Sequence, residues 1–168
     1  MLDCGYFYII FTKNLIRVTN FIGNYTGKVD SKGRLYFPVP FQKQMSGQIT
    51  NRFVVKKDIF ENCLVIFPYD EWEKQVELIR SRLNPYNKTH NLFLRKFYKD
   101  TVEVALDSAN RLLIPKKLLE SAQINSEIIL VGQDNKIEIW NAEELASKDI
   151  SQDDFAKLAE EIFKDENE

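Results

Sequence analysis

The stretch Lys28-Val29-Asp30-Ser31-Lys32-Gly33-Arg34-Leu35-Tyr36-Phe37-Pro38 recurs as Ala105-Leu106-Asp107-Ser108-Ala109-Asn110-Arg111-Leu112-Leu113-Ile114-Pro115. Asp30 aligns with Asp107, Gly33 with Asn110, Arg34 with Arg111 and Pro38 with Pro115. An aspartate that opens a tight loop accepts hydrogen bonds from backbone N–H groups two residues on. Gly and Asn take up left-handed backbone most readily, so both loops are predicted to have positive φ at Gly33 and Asn110. In the strand that follows, alternation puts Leu35 and Phe37 on one face and Arg34 and Tyr36 on the other. Leu112 and Ile114 form the matching inner pair. Each copy therefore holds a guanidinium on the outer face of a short rigid turn. One such turn reads as a capped β-turn with a solvated arginine, but two in matching context imply a shared task.

The surrounding sequence repeats as well. Residues 21 to 37 read as strand, turn and strand. Pro38 and Pro40 then interrupt pairing, and Phe41 to Met45 fits a short helix ended near Gly47. Pro115 opens the corresponding helix, Lys116 to Ala122. A hairpin follows in each half: 53–57 with 63–67, and 127–131 with 136–140, the latter turning at Asp134-Asn135. Asp70 stands three residues before Glu73, and Asn141 three before Glu144, in the pattern of helix N-caps. The unit is strand, Asp-Arg turn, strand, short helix, hairpin, helix, present twice.

Between the copies lies a helical insert. Trp72, Val76, Ile79 and Leu83 make one apolar stripe that ends before Asn84-Pro85. A second helix, about Lys88 to Tyr98, is predicted with Leu92, Phe93 and Phe97 inward and Arg95, Lys96 and Lys99 outward. At the tail Ser151 precedes Asp154 by three. Phe155, Leu158, Ala159, Ile162 and Phe163 share a face that either folds back on the body or packs against a neighbouring subunit. Domain organisation is accordingly 1–20 as an N-terminal extension, 21–83 as the first repeat plus helix, 84–99 as a linking helix, 100–147 as the second repeat, and 148–168 as an acidic amphipathic helix.

Apolar content of 44% and charged content of 29% are those of a globular protein in aqueous solution. Two cysteines, Cys4 and Cys63, give neither a disulfide framework nor zinc spacing. The apolar run Tyr6 to Phe11 has high β-propensity but is too short to span a bilayer. No signal peptide is apparent, so a cytoplasmic location is expected. Net charge is −2, but its distribution is uneven. From Thr12 to Lys57 nine basic residues face Asp30 alone, whereas from Asn141 to Glu168 ten acidic residues face three lysines. A basic face is all that polyanion binding requires.

The two boxes, the opening Phe21-Ile22-Gly23-Asn24-Tyr25, and Val131-Gly132-Gln133-Asp134-Asn135-Lys136-Ile137-Glu138-Ile139-Trp140 together resemble the MraZ family of bacterial transcriptional regulators. The resemblance runs from about Phe21 to at least Trp140, leaving residues 1–20 outside it. It implies an α+β, mainly β fold: a duplicated AbrB-type swapped-hairpin β-barrel whose two pseudo-symmetric halves carry flanking helices. It further implies a ring-shaped homo-oligomer, nucleoid-associated, that binds repeated double-stranded DNA boxes in the promoter of the division and cell-wall gene cluster. The Asp-Arg boxes would carry the DNA contacts, with Arg34 and Arg111 foremost and Lys32 next. Lys28, Lys43, Lys116 and Lys117 would be phosphate contacts, and Asp30, Gly33, Asp107 and Asn110 would form the turns. AbrB-type modules often end the short helix on two basic residues. This chain has Gln42-Lys43 and Leu119-Glu120 there.

Other functional classes find less support. His90 is the only histidine and lies in the polar insert, while Cys63 opens an apolar strand. No Gly-rich phosphate loop, metal-ligand spacing or paired-acid motif appears, so no catalysis, cofactor, metal, membrane or small-molecule substrate is expected. An AbrB-like antitoxin or protein-interaction module is the alternative. Antitoxins usually carry one module and a disordered tail, whereas this chain has two modules and a capped helix.

Overall fold

A computed structural model of the chain describes residues 19–45 and 51–164. Cys4, the apolar run Tyr6 to Phe11 and Gly47 lie outside the described residues, and the short helix expected to end near Gly47 has its C-cap at Met45. Strands β1 (Asn24–Lys28) and β2 (Arg34–Tyr36) flank the first turn, and helix α1 (Val39–Gln44) follows. Next come the hairpin β3 (Arg52–Lys57) and β4 (Leu64–Pro68), then helices α2 (Tyr69–Ser81) and α3 (Lys88–Lys99). The second half repeats the plan: β5 (Thr101–Ala105), β6 (Arg111–Leu113), α4 (Lys116–Ser121), β7 (Glu127–Gln133) and β8 (Lys136–Asn141). It ends in α5 (Ala142–Ser147) and α6 (Gln152–Lys164).

Apart from the two hairpins, β3–β4 and β7–β8, the strands pair across the repeats. The main sheet is six-stranded and antiparallel in the order β1-β7-β8-β4-β3-β5. The first half thus lends β1 to the second hairpin, and the second half lends β5 to the first. The remaining strands, β2 and β6, pair with each other as a separate ribbon, with Leu35 opposite Leu112. Neither sheet closes on itself, and β1 and β5 are the edges of the larger one. The barrel implied by the resemblance is therefore an open sheet with a ribbon beside it.

One core belongs to both halves. Leu35, Phe37, Phe41 and Phe53 meet Leu112, Ile114, Leu118 and Leu119, and all are buried. Phe41 is fully buried among Phe21, Tyr25 and Phe37, with ring centroids 5.5, 4.8 and 6.2 Å away. Edge-on aromatic pairs of this kind add roughly 0.5–1.5 kcal/mol each beyond their burial. The central strands β3 and β4 are buried on both faces. Phe53, Val55, Leu64 and Ile66 point into the shared core, while Val54, Val65 and Phe67 meet Trp72, Val76 and Phe97 of the insert. This two-sided burial explains why these strands read as continuous apolar runs.

The insert differs from expectation in two respects. Helix α2 begins directly after Pro68, which is its N-cap, so Asp70 does not cap it. Asp70 and Glu71 instead lie in the first turn, where the helix dipole favours negative charge. Helix α3 packs through a narrow stripe. Phe97 stacks on Trp72 at 5.4 Å and 6°, and Phe93 stacks on Phe97 at 5.8 Å. Leu92 is 60% exposed and Phe93 only partly covered, whereas Phe97 is buried on Trp72 and Tyr98 meets the same indole edge-on at 6.1 Å. Asn141 caps α5 as expected, accepting from the N–H groups of Glu143 and Glu144.

Candidate nucleic-acid interface

The two turns are built alike, atom for atom. Asp30 Oδ1 accepts from the backbone N–H of Lys32 at 2.9 Å and of Arg34 at 3.0 Å. Asp107 Oδ1 accepts from Ala109 at 2.8 Å and Arg111 at 2.9 Å. The third loop position has positive φ in both, +87° at Gly33 and +57° at Asn110. Each turn then grips the other half: Ile114 N–H donates to the Gly33 carbonyl, and Phe37 N–H to the Asn110 carbonyl, both at 2.9 Å. The duplicated sequence therefore folds into two turns locked together by the ribbon.

The aspartates also aim the arginines. Arg34 Nε donates to Asp30 Oδ2 at 2.7 Å. Arg111 donates to Asp107 Oδ2 from Nε at 2.9 Å and lies 2.8 Å from it through Nη2. Arg34 pairs opposite Leu113 and Arg111 opposite Tyr36, so both guanidinium groups project from the same face of the ribbon. Neither is sealed: the side chains are 33% and 26% exposed. Between them stand Tyr36 and Leu113, exposed at 67% and 56%, with the Arg111 guanidinium 5.9 Å from the Tyr36 ring centroid. Alternation places Tyr36 outside, but its pairing with Arg111 depends on a register between halves that sequence does not carry.

The carboxylates are held in their charged form. The backbone N–H of Arg34, followed by its guanidinium and the Lys32 N–H, lowers Asp30 from 3.8 to about 2. At Asp107 the Arg111 side chain is the largest cause of a downward shift, ahead of its N–H. A lowered carboxylate stabilises the turn fully above its unfolded value and loses that contribution as pH falls through the folded one. For Asp30 this window runs from 3.8 down to about 2. Carboxyl-carbon NMR titration should place the Asp30 midpoint near 2. Arg34→Ala should raise it only part of the way, since the replaced residue keeps its N–H, while Arg111→Ala should release Asp107 more fully. A wild-type Asp30 midpoint near 3.8 would remove the turn geometry from consideration.

The lysines distribute unevenly. Lys32 is exposed within the first turn, and Lys116 lines a groove with Asp30 and Ser31, beside that turn. Lys28 lies 3.9 Å from Glu127 across the β1–β7 pair. Lys43 is exposed on α1, and Lys117 lines a different groove with Lys99 and Val102. Three residues counted toward a basic face are otherwise engaged. Lys56 is buried with its ammonium 4.7 Å from the Phe97 ring centroid. Lys57 donates to the Ser121 carbonyl, and Arg52 pairs with Glu103 at 2.6 Å. Lys13 and Arg17 lie outside the described residues.

Comparison with known proteins fits this geometry. The MraZ protein family model, whose description is "antitoxin-like", matches residues 21–96 and again 97–165. The chain belongs to the MraZ family. It is similar to the transcriptional regulator MraZ of Bacteroides thetaiotaomicron, 40% identical over 147 residues, covering 88% of this chain and 94% of that protein. Similar too are those of Christiangramia forsetii, 40% identical over 86% of this chain and 93% of the relative, and Clostridium tetani, 33% over 84% and 96%. MraZ family membership thus extends well beyond the two boxes.

The residues a catalytic reading would use have other occupations. His90 Nδ1 accepts from the Asn84 N–H at 2.8 Å, tying α3 to the end of α2. Cys63 is buried, and burial, with Glu138 and Asp58 adding to it, pushes the thiol up to about 12. It remains protonated at neutral pH and is a poor nucleophile. Among the described residues no group of three or more His, Cys, Asp or Glu is placed to hold a metal, and no helix is long and apolar enough to cross a membrane.

Proposed function

We propose that this chain is a sequence-specific DNA-binding transcriptional regulator, acting on repeated promoter boxes of the division and cell-wall gene cluster as a ring-shaped homo-oligomer. The observation that carries the proposal is the pair of aspartate-braced arginines on one face of the β2–β6 ribbon. Their matched geometry supports reading the ribbon as the element that meets the duplex. The exchange of β1 and β5 between halves supports reading each half as an AbrB-type swapped hairpin, with one chain forming a pseudo-dimer. The printed name of the relatives, transcriptional regulator, points the same way.

Arginine presents a planar fork that matches guanine O6 and N7 together, whereas lysine serves phosphate as a point charge. Bracing by aspartate fixes the fork before contact, so less freedom is lost on binding. Arg34 and Arg111 would read bases. Lys32 and Lys116, beside the first turn, would hold phosphate, with Lys28, Lys43 and Lys117 further out. Several chains in a ring would engage several boxes at once, and effective concentration would supply affinity that one ribbon lacks.

Fluorescence titration of the full chain on DNA carrying repeated or scrambled boxes, at two salt concentrations, tests the proposal. Repeated boxes should bind more tightly at both. Lys32→Ala should weaken both DNAs alike and reduce the salt slope by about 1. Equal affinity for both DNAs would reject sequence-specific recognition. The antitoxin reading draws on the family's description as antitoxin-like. Co-purification of a small toxin with the native chain would favour it.

A further inference from the structure

Beneath helices α2 and α3 the main sheet leaves a cavity of about 240 Å³. Val65, Phe67, Trp72 and Phe97 give it apolar walls, and Lys56 and Lys136 reach it from the sheet. Phe60, 91% exposed in the β3–β4 loop, marks its open edge. Alternation along β3 puts Lys56 on the face of Val54, toward the insert, where the pattern calls for an apolar side chain. Lys56 is nonetheless only 6% exposed, and lysine is almost never buried so far without a partner for its charge.

The Lys56 ammonium donates to the Lys57 carbonyl at 2.8 Å and lies 4.7 Å from the Phe97 ring centroid. Among the described residues no carboxylate comes within ion-pair distance of it and no second acceptor meets it, which leaves two of the three N–H bonds of a lysine ammonium open. Lys136 has its counter-charge in Glu138 at 3.1 Å, whose other oxygen accepts from the Trp140 indole at 2.8 Å. Asp58, on the cavity wall, is engaged through Oδ1 by the N–H groups of Phe60 and Glu61, at 2.8 and 2.9 Å. Burial lowers the pKa of Lys56 below its ordinary value, with Asp58 opposing the shift and Lys136 adding to it.

We propose that this cavity binds a small carboxylate with a ring-sized apolar body, the carboxylate on the Lys56 ammonium and the body against Phe67, Trp72 and Phe97. The open N–H bonds call for an anionic acceptor, and the walls call for an apolar remainder. Size fits as well: a dry cavity of about 150 Å³ accepts benzene, so the further volume here has room for a carboxylate. Asp58 on the wall and Glu138 behind Lys136 oppose a second negative charge, which selects a monoanion over a phosphate dianion. The site stands apart from the DNA reading, because Lys56 lies under the insert whereas Arg34 and Arg111 belong to the ribbon.

Equilibrium dialysis of the full chain against radiolabelled benzoate tests this. Uptake should saturate at one benzoate per chain. Lys56→Met, with circular dichroism matching the wild type, should weaken binding by about ten- to a hundredfold, the usual loss for a hydrogen bond to a charged group. Lys56→Gln keeps a donor for the Lys57 carbonyl without the charge; it should lose binding to the same extent and replaces the first variant if that one fails to fold. On the wild type, benzamide has the same shape without the charge and should bind about tenfold more weakly or worse. Phenyl phosphate should also bind more weakly than benzoate. Arg34→Ala should take up benzoate as the wild type does, so this site and the DNA reading fail separately. Absence of saturable uptake would leave the cavity to water, and equal affinity for benzamide would make it a site for the ring alone. Either result overturns the proposal, as does unchanged binding by the folded Lys56 variants or tighter binding of phenyl phosphate.

Discussion

Replacing Arg34 and Arg111 together by alanine is expected to lower affinity for repeated promoter boxes on the order of a thousandfold, each alone costing roughly ten- to a hundredfold. The fold should survive, because both guanidinium groups are partly solvated and exposed ion pairs contribute little to stability. Unchanged thermal unfolding with lost binding is therefore the expected signature. Arg34→Lys and Arg111→Lys sharpen the experiment. Lysine keeps the charge for phosphate but lacks the fork, so scrambled DNA should bind nearly as before while preference for the boxes collapses. Asp30→Asn and Asp107→Asn should act in the same direction more weakly, since each arginine stays but loses its brace. Anisotropy titrations at low and physiological salt measure all of these. Binding by the double alanine variant within a few-fold of wild type would move recognition off the ribbon.

The turns were fully legible in the sequence because their geometry is local. Asp30, Gly33 and Arg34 lie within five residues, and hydrogen bonds over that distance follow from residue type. What residue type and spacing leave open is the pairing between halves, which enters only through the swapped hairpin that the resemblance implies. Nothing in Asn24–Lys28 says that it lies beside Glu127–Gln133 rather than beside its own hairpin. The ribbon register, and with it the approach of Arg111 to Tyr36, depends on the same choice. The charge count was misleading for a related reason. Lys56 occupies a position of β3 that faces the insert, and only the packing of α3 over that face turns it into a buried residue. Periodicity also overstated the core of α3, since a period identifies an apolar face without saying how much of it a partner covers. Helix α6 is the extreme case: its stripe is plain in the sequence, and among the described residues nothing buries Phe155, Leu158, Ile162 or Phe163.

Gly33→Ala is expected to destabilise the chain by about 2–4 kcal/mol, combining roughly 1–2 for left-handed backbone with part of the roughly 1–3 typical of overpacking. At φ +87° the glycine leaves no room for a methyl group: a β-carbon would lie 2.4 Å from the Ile114 carbonyl oxygen. That oxygen belongs to backbone directly after the β2–β6 ribbon, and Ile114 N–H already donates to the Gly33 carbonyl. Relief would require the turn and the ribbon to separate. The partner position provides the control. Asn110 has a smaller φ of +57° and already accommodates a β-carbon, so Asn110→Gly should change stability by only a few tenths of a kcal/mol. Urea unfolding followed by Trp fluorescence measures both. Equal midpoints for Gly33→Ala and wild type would show that the first turn yields without cost. Such a turn could not hold Arg34 in a fixed direction, and the case for its reading a base would fall with it.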